Sequence, residues 1–218
     1  MRTGEVCALT WNDIDLEKGI INVKHNVYNK VKDEKGRWFI GSTKTINGDR
    51  QVYINDTLLK ALKNYKNKQD YLKKVYGRKY HYYHLEFVKN KYSKIVEYRI
   101  VETERKAKLL KPIDLVFTKK NGVYVGTDII RYPYKVIHNE LNIKNCRFYD
   151  LRGSYATKSL RNGVEIKDLA DILGHSRVET TNDYYIFSSE DSKRYASKVF
   201  EKTVQSKIID NIINYDNI

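Results

Sequence analysis

The chain has 218 residues, with 41 Lys and Arg against 27 Asp and Glu, a net charge of +14. That length holds one large domain with a real core, or two small ones, and the cation excess suits a polyanionic partner, although a lysine-rich proteome gives the same balance. Cys7 and Cys146 are the only cysteines and have no CxxC spacing, which argues against a zinc site or a disulfide scaffold and fits a reducing cytosol. No apolar run approaches the roughly 20 residues that cross a bilayer, and no signal peptide opens the chain, so a cytoplasmic protein is expected.

Residues 1–15, MRTGEVCALTWNDID, read as a short helix with Val6, Leu9 and Trp11 inward, broken at Asn12-Asp13. Met1 leads at once into Arg2 and this helix pattern, which predicts a piece of a longer protein or an internal start. Ile20–Val27, Trp38–Ile40 and Gln51–Ile54 are expected to form a small antiparallel sheet, with Asn47-Gly48-Asp49 as a turn and Lys44 beside it. Asn55-Asp56-Thr57 can cap a helix through Leu58, Leu59, Leu62 and Tyr65. Residues 60–80 interleave lysines with Tyr65, Tyr71, Tyr76 and Tyr80, either as a phosphate-facing strip or as a solvated face over inward tyrosines.

Residues 81–111 are ambiguous. Leu85, Val88, Tyr92 and Ile95 have helical spacing, whereas Val96, Tyr98 and Ile100 alternate as a strand does. Ile113–Phe117 is read as a buried extended segment, and Asn121-Gly122 as a turn. Thr127-Asp128 is placed before a helix with Pro133 near its start. A further helix opens at Phe148, with Leu151, Tyr155 and Leu160 on one face, and stops at Asn162-Gly163. The next helix, Val164–Leu173, buries Leu169, Ile172 and Leu173, and Gly174 suits a left-handed cap. His175 follows, then the adjacent Tyr184 and Tyr185, and a last helix with Tyr195, Val199 and Phe200 as its apolar face. The expected class is α+β, mainly helical.

Arg2, Lys44, Arg152 and His175 stand beside apolar faces that need no polar group. With their surroundings they resemble the catalytic domain of the tyrosine recombinases, the phage and conjugative-transposon integrases. MRTGEVCALTWNDID resembles the first box of that family, with its arginine at Arg2 and its glutamate at Glu5. STKT before a turn resembles the hairpin that bears the family's lysine, at Lys44. YDLRGSYAT resembles the second-arginine box, at Arg152, and LGHSRVETTNDYY the last box, with His175 and the nucleophile. The residues alone leave Tyr184 and Tyr185 both open. The family's spacing from the histidine selects Tyr185. One departure is plain: Tyr149 stands where the family usually has a histidine, and a phenol with a pKa of ~10 shuttles protons poorly near neutral pH.

The resemblance implies a catalytic domain over residues 1–203 and a tail over 204–218, without the family's first helices and N-terminal DNA-binding domains. It implies double-stranded DNA at attachment sites as substrate, a homo-oligomer that is tetrameric in the synaptic complex, an accessory directionality protein, and no metal or cofactor. Arg2 and Arg152 would clamp the phosphate, His175 would donate to it, Lys44 would protonate the leaving oxygen, and Tyr185 would attack. Glu5, one helical turn from Arg2, would hold it. A non-catalytic DNA-binding remnant and a type IB topoisomerase-like enzyme are the alternatives.

Overall fold

The computed structural model describes residues 1–33, 36–42, 48–89, 95–103, 112–143, 146–179, 181 and 198. Along them run α1 (Thr3–Cys7), β1 (Ile14–Asp15), β2 (Ile20–Val23), β3 (His25–Asp33), β4 (Gly36–Ser42) and β5 (Arg50–Tyr53). Then come α2 (Asp56–Tyr76), β6 (Tyr83–Lys89), β7 (Ile95–Glu102), α3 (Arg131–Asn139), α4 (Phe148–Arg161) and α5 (Ile166–Leu173). The fold is α+β, as expected. Among the described residues no helix is long and apolar enough to cross a membrane.

The strands form two antiparallel sheets, β1-β2-β5 and β3-β4-β7-β6. The run Ile20–Val27, expected as one strand, breaks at Lys24 and serves both: Ile21 pairs with Val52, and Val27 with Ile40. The reason is burial in two places. Val23 belongs to a core with Leu9, Trp11, Ile14, Leu62 and Val116. Val27 belongs to another with Cys7, Ala8, Trp38, Ile40, Ile100 and Leu115. Within the ambiguous stretch, β6 and β7 pair antiparallel, with Leu85 opposite Ile100 and Phe87 opposite Tyr98; Tyr92 lies outside the described residues. Helical spacing there is coincidental, because only cross-strand pairing gives Leu85 and Ile100 a shared buried face.

Ile113–Leu115 is extended, as expected, the chain bends at Val116-Phe117, and the segment stitches the two cores together. Trp11 N–H donates to Asp114 O (2.8 Å) and Val116 N–H to Leu9 O (3.0 Å), so Leu115 faces one core and Val116 the other. α2 starts at an Asn55 cap whose side chain accepts from Leu58 N–H. Its inner face carries Leu62 and a buried glutamine, Gln69, which accepts from Trp11 Nε1 (2.6 Å) and donates to Leu115 O and Val116 O. Its outer face leaves Lys60, Lys63, Lys68 and Lys74 exposed. Lys66 instead covers the Trp11 ring, and Lys73 pairs with Asp114. The lysine strip is therefore partly structural.

α4 divides the apolar set Leu151, Tyr155 and Leu160. Leu151 and Tyr155 are 54% and 49% exposed, whereas Arg152 and Ala156 are 4% and 0% exposed. The inward stripe is Arg152, Ala156 and Leu160, at four-residue spacing, and Ala156 packs with Leu169 and Leu173 of α5. A small residue at the crossing lets α5 approach closely. Arg152 is drawn inward because the end of α5 offers it acceptors.

Candidate active site

α5 ends as its glycine dictates. Gly174 takes φ +69°, His175 N–H reaches back to Ala170 O and Gly174 N–H to Asp171 O, each at 3.0 Å. This is a Schellman end. It leaves the last carbonyls of α5 pointing at incoming donors, with the negative end of the helix dipole behind them. Two arginines use them. Arg152 Nη2 donates to Leu173 O (2.7 Å), and Arg50 Nε donates to Ile172 O (2.8 Å).

The same Arg152 Nη2 lies 3.0 Å from His175 Nε2. A guanidinium can only donate, so Nε2 is the acceptor and the imidazole is neutral. Its proton then sits on Nδ1, which donates to Thr181 Oγ1 at 2.7 Å. Thr181 is fully buried, which fixes the ring. Burial, then the charges of Arg152, Arg2 and Arg50, push the pKa of His175 down to about 4. Three arginines thus bear on one imidazole. The expected donation from His175 to an anion requires Nε2 to be protonated, and an anion placed among these cations would itself favour that form.

Arg2 precedes α1, and Glu5 reaches back to it. Arg2 N–H donates to Glu5 Oε2 (2.7 Å) and Arg2 Nη1 to Glu5 Oε1 (2.8 Å). Arg50 Nη2 also donates to Glu5 Oε2, at 2.9 Å. Burial would raise the Glu5 carboxyl, but hydrogen bonds from Arg50 and Arg2 hold it down to about 2. The side chain of Arg2 is 40% exposed, that of Glu5 2% and that of Arg50 6%. Arg2 is therefore available to a substrate, while Glu5 and Arg50 stand behind it.

Of the residues expected from the sequence, Arg2, Glu5, Arg152 and His175 come together at the end of α5. Tyr149 lies in the first turn of α4, one turn before Arg152, and is 50% exposed. Lys44, Tyr184 and Tyr185 lie outside the described residues. Arg50 and Thr181 were not singled out on sequence. Arg50 was detectable, since it shares the inward parity of β5 with Val52. Thr181 carried no local signal. Among the described residues, no group of three His, Cys, Asp or Glu side chains is placed to hold a metal ion.

Residues 1–191 match the phage integrase family. The chain belongs to that family. Over 190 residues it is 29% identical to a XerC-like tyrosine recombinase of Caldanaerobacter subterraneus subsp. tengcongensis, covering 85% of this chain and 42% of the relative. Over 210 residues it is 24% identical to the transposase of transposon Tn916 from Enterococcus faecalis, covering 95% of this chain and 44% of the relative. The chain thus spans less than half the length of these curated relatives. Among solved structures, it resembles the Tn1549 transposon integrase in complex with circular intermediate DNA. That match has a TM-score of 0.60 at 20% identity, over 92% of this chain and 54% of the other. XerA recombinase gives a TM-score of 0.54 at 22% identity, over 91% and 53%. These matches show that the phage integrase family member has the fold of a tyrosine recombinase catalytic domain.

Proposed function

We propose that residues 1–203 are the catalytic domain of a site-specific DNA recombinase that integrates or excises a mobile element, with residues 204–218 as a tail. The observation that carries this reading is the meeting of Arg152 and His175, 3.0 Å apart, with Arg2 close enough to lower the pKa of the imidazole. Such a cluster of fixed donors matches the charge that builds on a phosphodiester during displacement. Arg2 and Arg152 bind the non-bridging oxygens, and His175 joins them through Nε2 once an anion is present. The Tyr185 oxygen attacks phosphorus as its phenol proton passes to water, the bond to the 5′-oxygen breaks, and Lys44 gives that oxygen a proton, which the attacking 5′-hydroxyl returns in the reverse step. A 3′-phosphotyrosine results. A 5′-hydroxyl from another strand then attacks it, releasing the tyrosine and sealing the new junction. No external energy source is consumed, because the phosphoester bond is conserved.

Double-stranded DNA is the substrate, a reading supported by a relative of the same fold that is solved with transposon DNA. The complete protein would act as a tetramer on paired sites, assisted by a directionality factor. The test is a nicked suicide site incubated with the chain. A covalent adduct is expected, lost in Tyr185→Phe and kept in Tyr184→Phe; loss in Tyr184→Phe alone would move the nucleophile. Arg152→Ala should slow adduct formation on the order of 10²–10³-fold. A second reading, a DNA-binding remnant, is favoured by Tyr149 in place of a histidine. Salt-sensitive binding with no adduct on a correct site would select it.

A further inference from the structure

We propose that Arg50 is a positioning residue for strand cleavage, which holds Arg2 and Arg152 in one fixed arrangement by joining Glu5 to the end of α5. The inference rests on the recombinase reading above. Arg50 opens β5, its side chain is 6% exposed, and each of its three side-chain nitrogens is bonded to a protein oxygen. Its donors are spent on three separate places. Nε binds Ile172 O (2.8 Å), Nη2 binds Glu5 Oε2 (2.9 Å), and Nη1 binds Gly48 O (3.1 Å) with a longer approach to Glu5 Oε1 (3.4 Å).

These bonds complete an unbroken path. Arg2 is held by Glu5, Glu5 by Arg50, and Arg50 by Ile172 O. The next carbonyl, Leu173 O, holds Arg152, which in turn meets His175. Arg2 and Arg152 are 150 positions apart in sequence, and α1 and α5 share no strand or helix. Arg50 is a bonded link between them. Two oxygens of a phosphate are a small fixed target, and displacing one donor by about 1 Å can cost on the order of a hundredfold in rate. A lysine at this place keeps the charge but loses the planar fork, so one nitrogen would have to serve Glu5 and Ile172 O, which Arg50 meets from two.

The experiment uses the 218-residue chain and a suicide DNA site in two forms, with a normal scissile phosphodiester and with a methylphosphonate there. The methylphosphonate is neutral and leans less on aligned cations. Adduct rates at saturating DNA, DNA affinity and urea unfolding are measured for wild type, Arg50→Lys and Glu5→Gln. Arg50→Lys is expected to remain folded, to bind DNA within about twofold of wild type, and to lose at least about tenfold in rate on the phosphodiester, with a deficit several-fold smaller on the methylphosphonate. Glu5→Gln cuts the same path and should give the same pattern, and the double variant should lose less than the product of the two. An unchanged rate in Arg50→Lys would overturn the proposal, as would an equal loss on both substrates, or failure of both single variants to fold. No adduct from wild type on either substrate would overturn the recombinase reading, and this inference with it.

Discussion

Glu5 is the residue on which the electrostatics of the site turn. It is a buried carboxylate with an arginine on either side, and the geometry is good enough to hold its pKa near 2 despite burial. Such a pair is costly to break, because the surviving buried charge has no water to return to. Glu5→Ala is therefore expected to lose roughly 3–5 kcal/mol of stability, read as a shift in urea midpoint; a loss below 1 kcal/mol would contradict the buried pairing. Acid should act on the same groups. Both Glu5 and His175 have folded pKa values, about 2 and about 4, below their ordinary 4.5 and 6.5. The unfolded chain thus takes up protons first, and stability present above pH 6.5 falls as pH drops. His175 contributes to the fall between pH 6.5 and 4, and Glu5 between 4.5 and 2, the latter worth about 3 kcal/mol in full. A urea midpoint that stays level from pH 7 to pH 3 would rule this out. In the complex, a bound phosphate should raise the pKa of His175, observable as a shift in its ring NMR titration on adding DNA.

At the scale of elements, two glycines set where the cationic side chains sit. Gly174 occupies the left-handed region, and its replacement by alanine should cost roughly 1 kcal/mol. The greater effect should fall on adduct rate, because the turn that aims His175 is the turn that strains. Gly4 has ordinary φ but no room. A Cβ there would lie 2.2 Å from Asn26 Oδ1 and 2.6 Å from Val27 O. The side chain of Asn26 can move; the β3 backbone cannot do so cheaply. Gly4→Ala is expected to push α1 off β3, lower stability by roughly 1–3 kcal/mol and displace Arg2. A thermal midpoint equal to wild type would show that α1 has slack.

For the whole molecule, the relevant quantity is the unbalanced charge. Lys60, Lys63, Lys68 and Lys74 are exposed on one side of α2, and the chain as a whole carries +14. If DNA is the partner, each neutralised phosphate releases counterions, so affinity must fall as salt rises. Between 50 and 200 mM salt the loss should be on the order of tenfold or more, measured by fluorescence anisotropy with a labelled duplex. An affinity indifferent to salt would exclude phosphate contact as the main source of binding.

Much of this protein is written locally. The caps at Asn55 and Gly174, the turn at Gly122, the extended Ile113–Leu115 and most helix positions follow from short-range sterics and period, which neighbouring residues determine on their own. Arg2, Arg152 and His175 stand out in the sequence as polar groups set among apolar ones, the family resemblance adds Glu5, and the structure brings these four together. What the sequence could not settle is which of several locally acceptable faces turns inward. Leu151 and Tyr155 are apolar and on one face with Leu160, but α5 meets α4 at Ala156, and its last carbonyls draw Arg152 under the helix end. Ile20–Val27 read as one strand, yet two cores compete for its ends and divide it. Gln69, Arg50 and Thr181 acquire meaning only from partners 58, 45 and 6 positions away. Chain-local physics chose the elements. Pairing of buried groups across distant elements, as when Arg50 and Arg152 meet the last carbonyls of α5, exists only in the assembled tertiary structure and decided how those elements make a site.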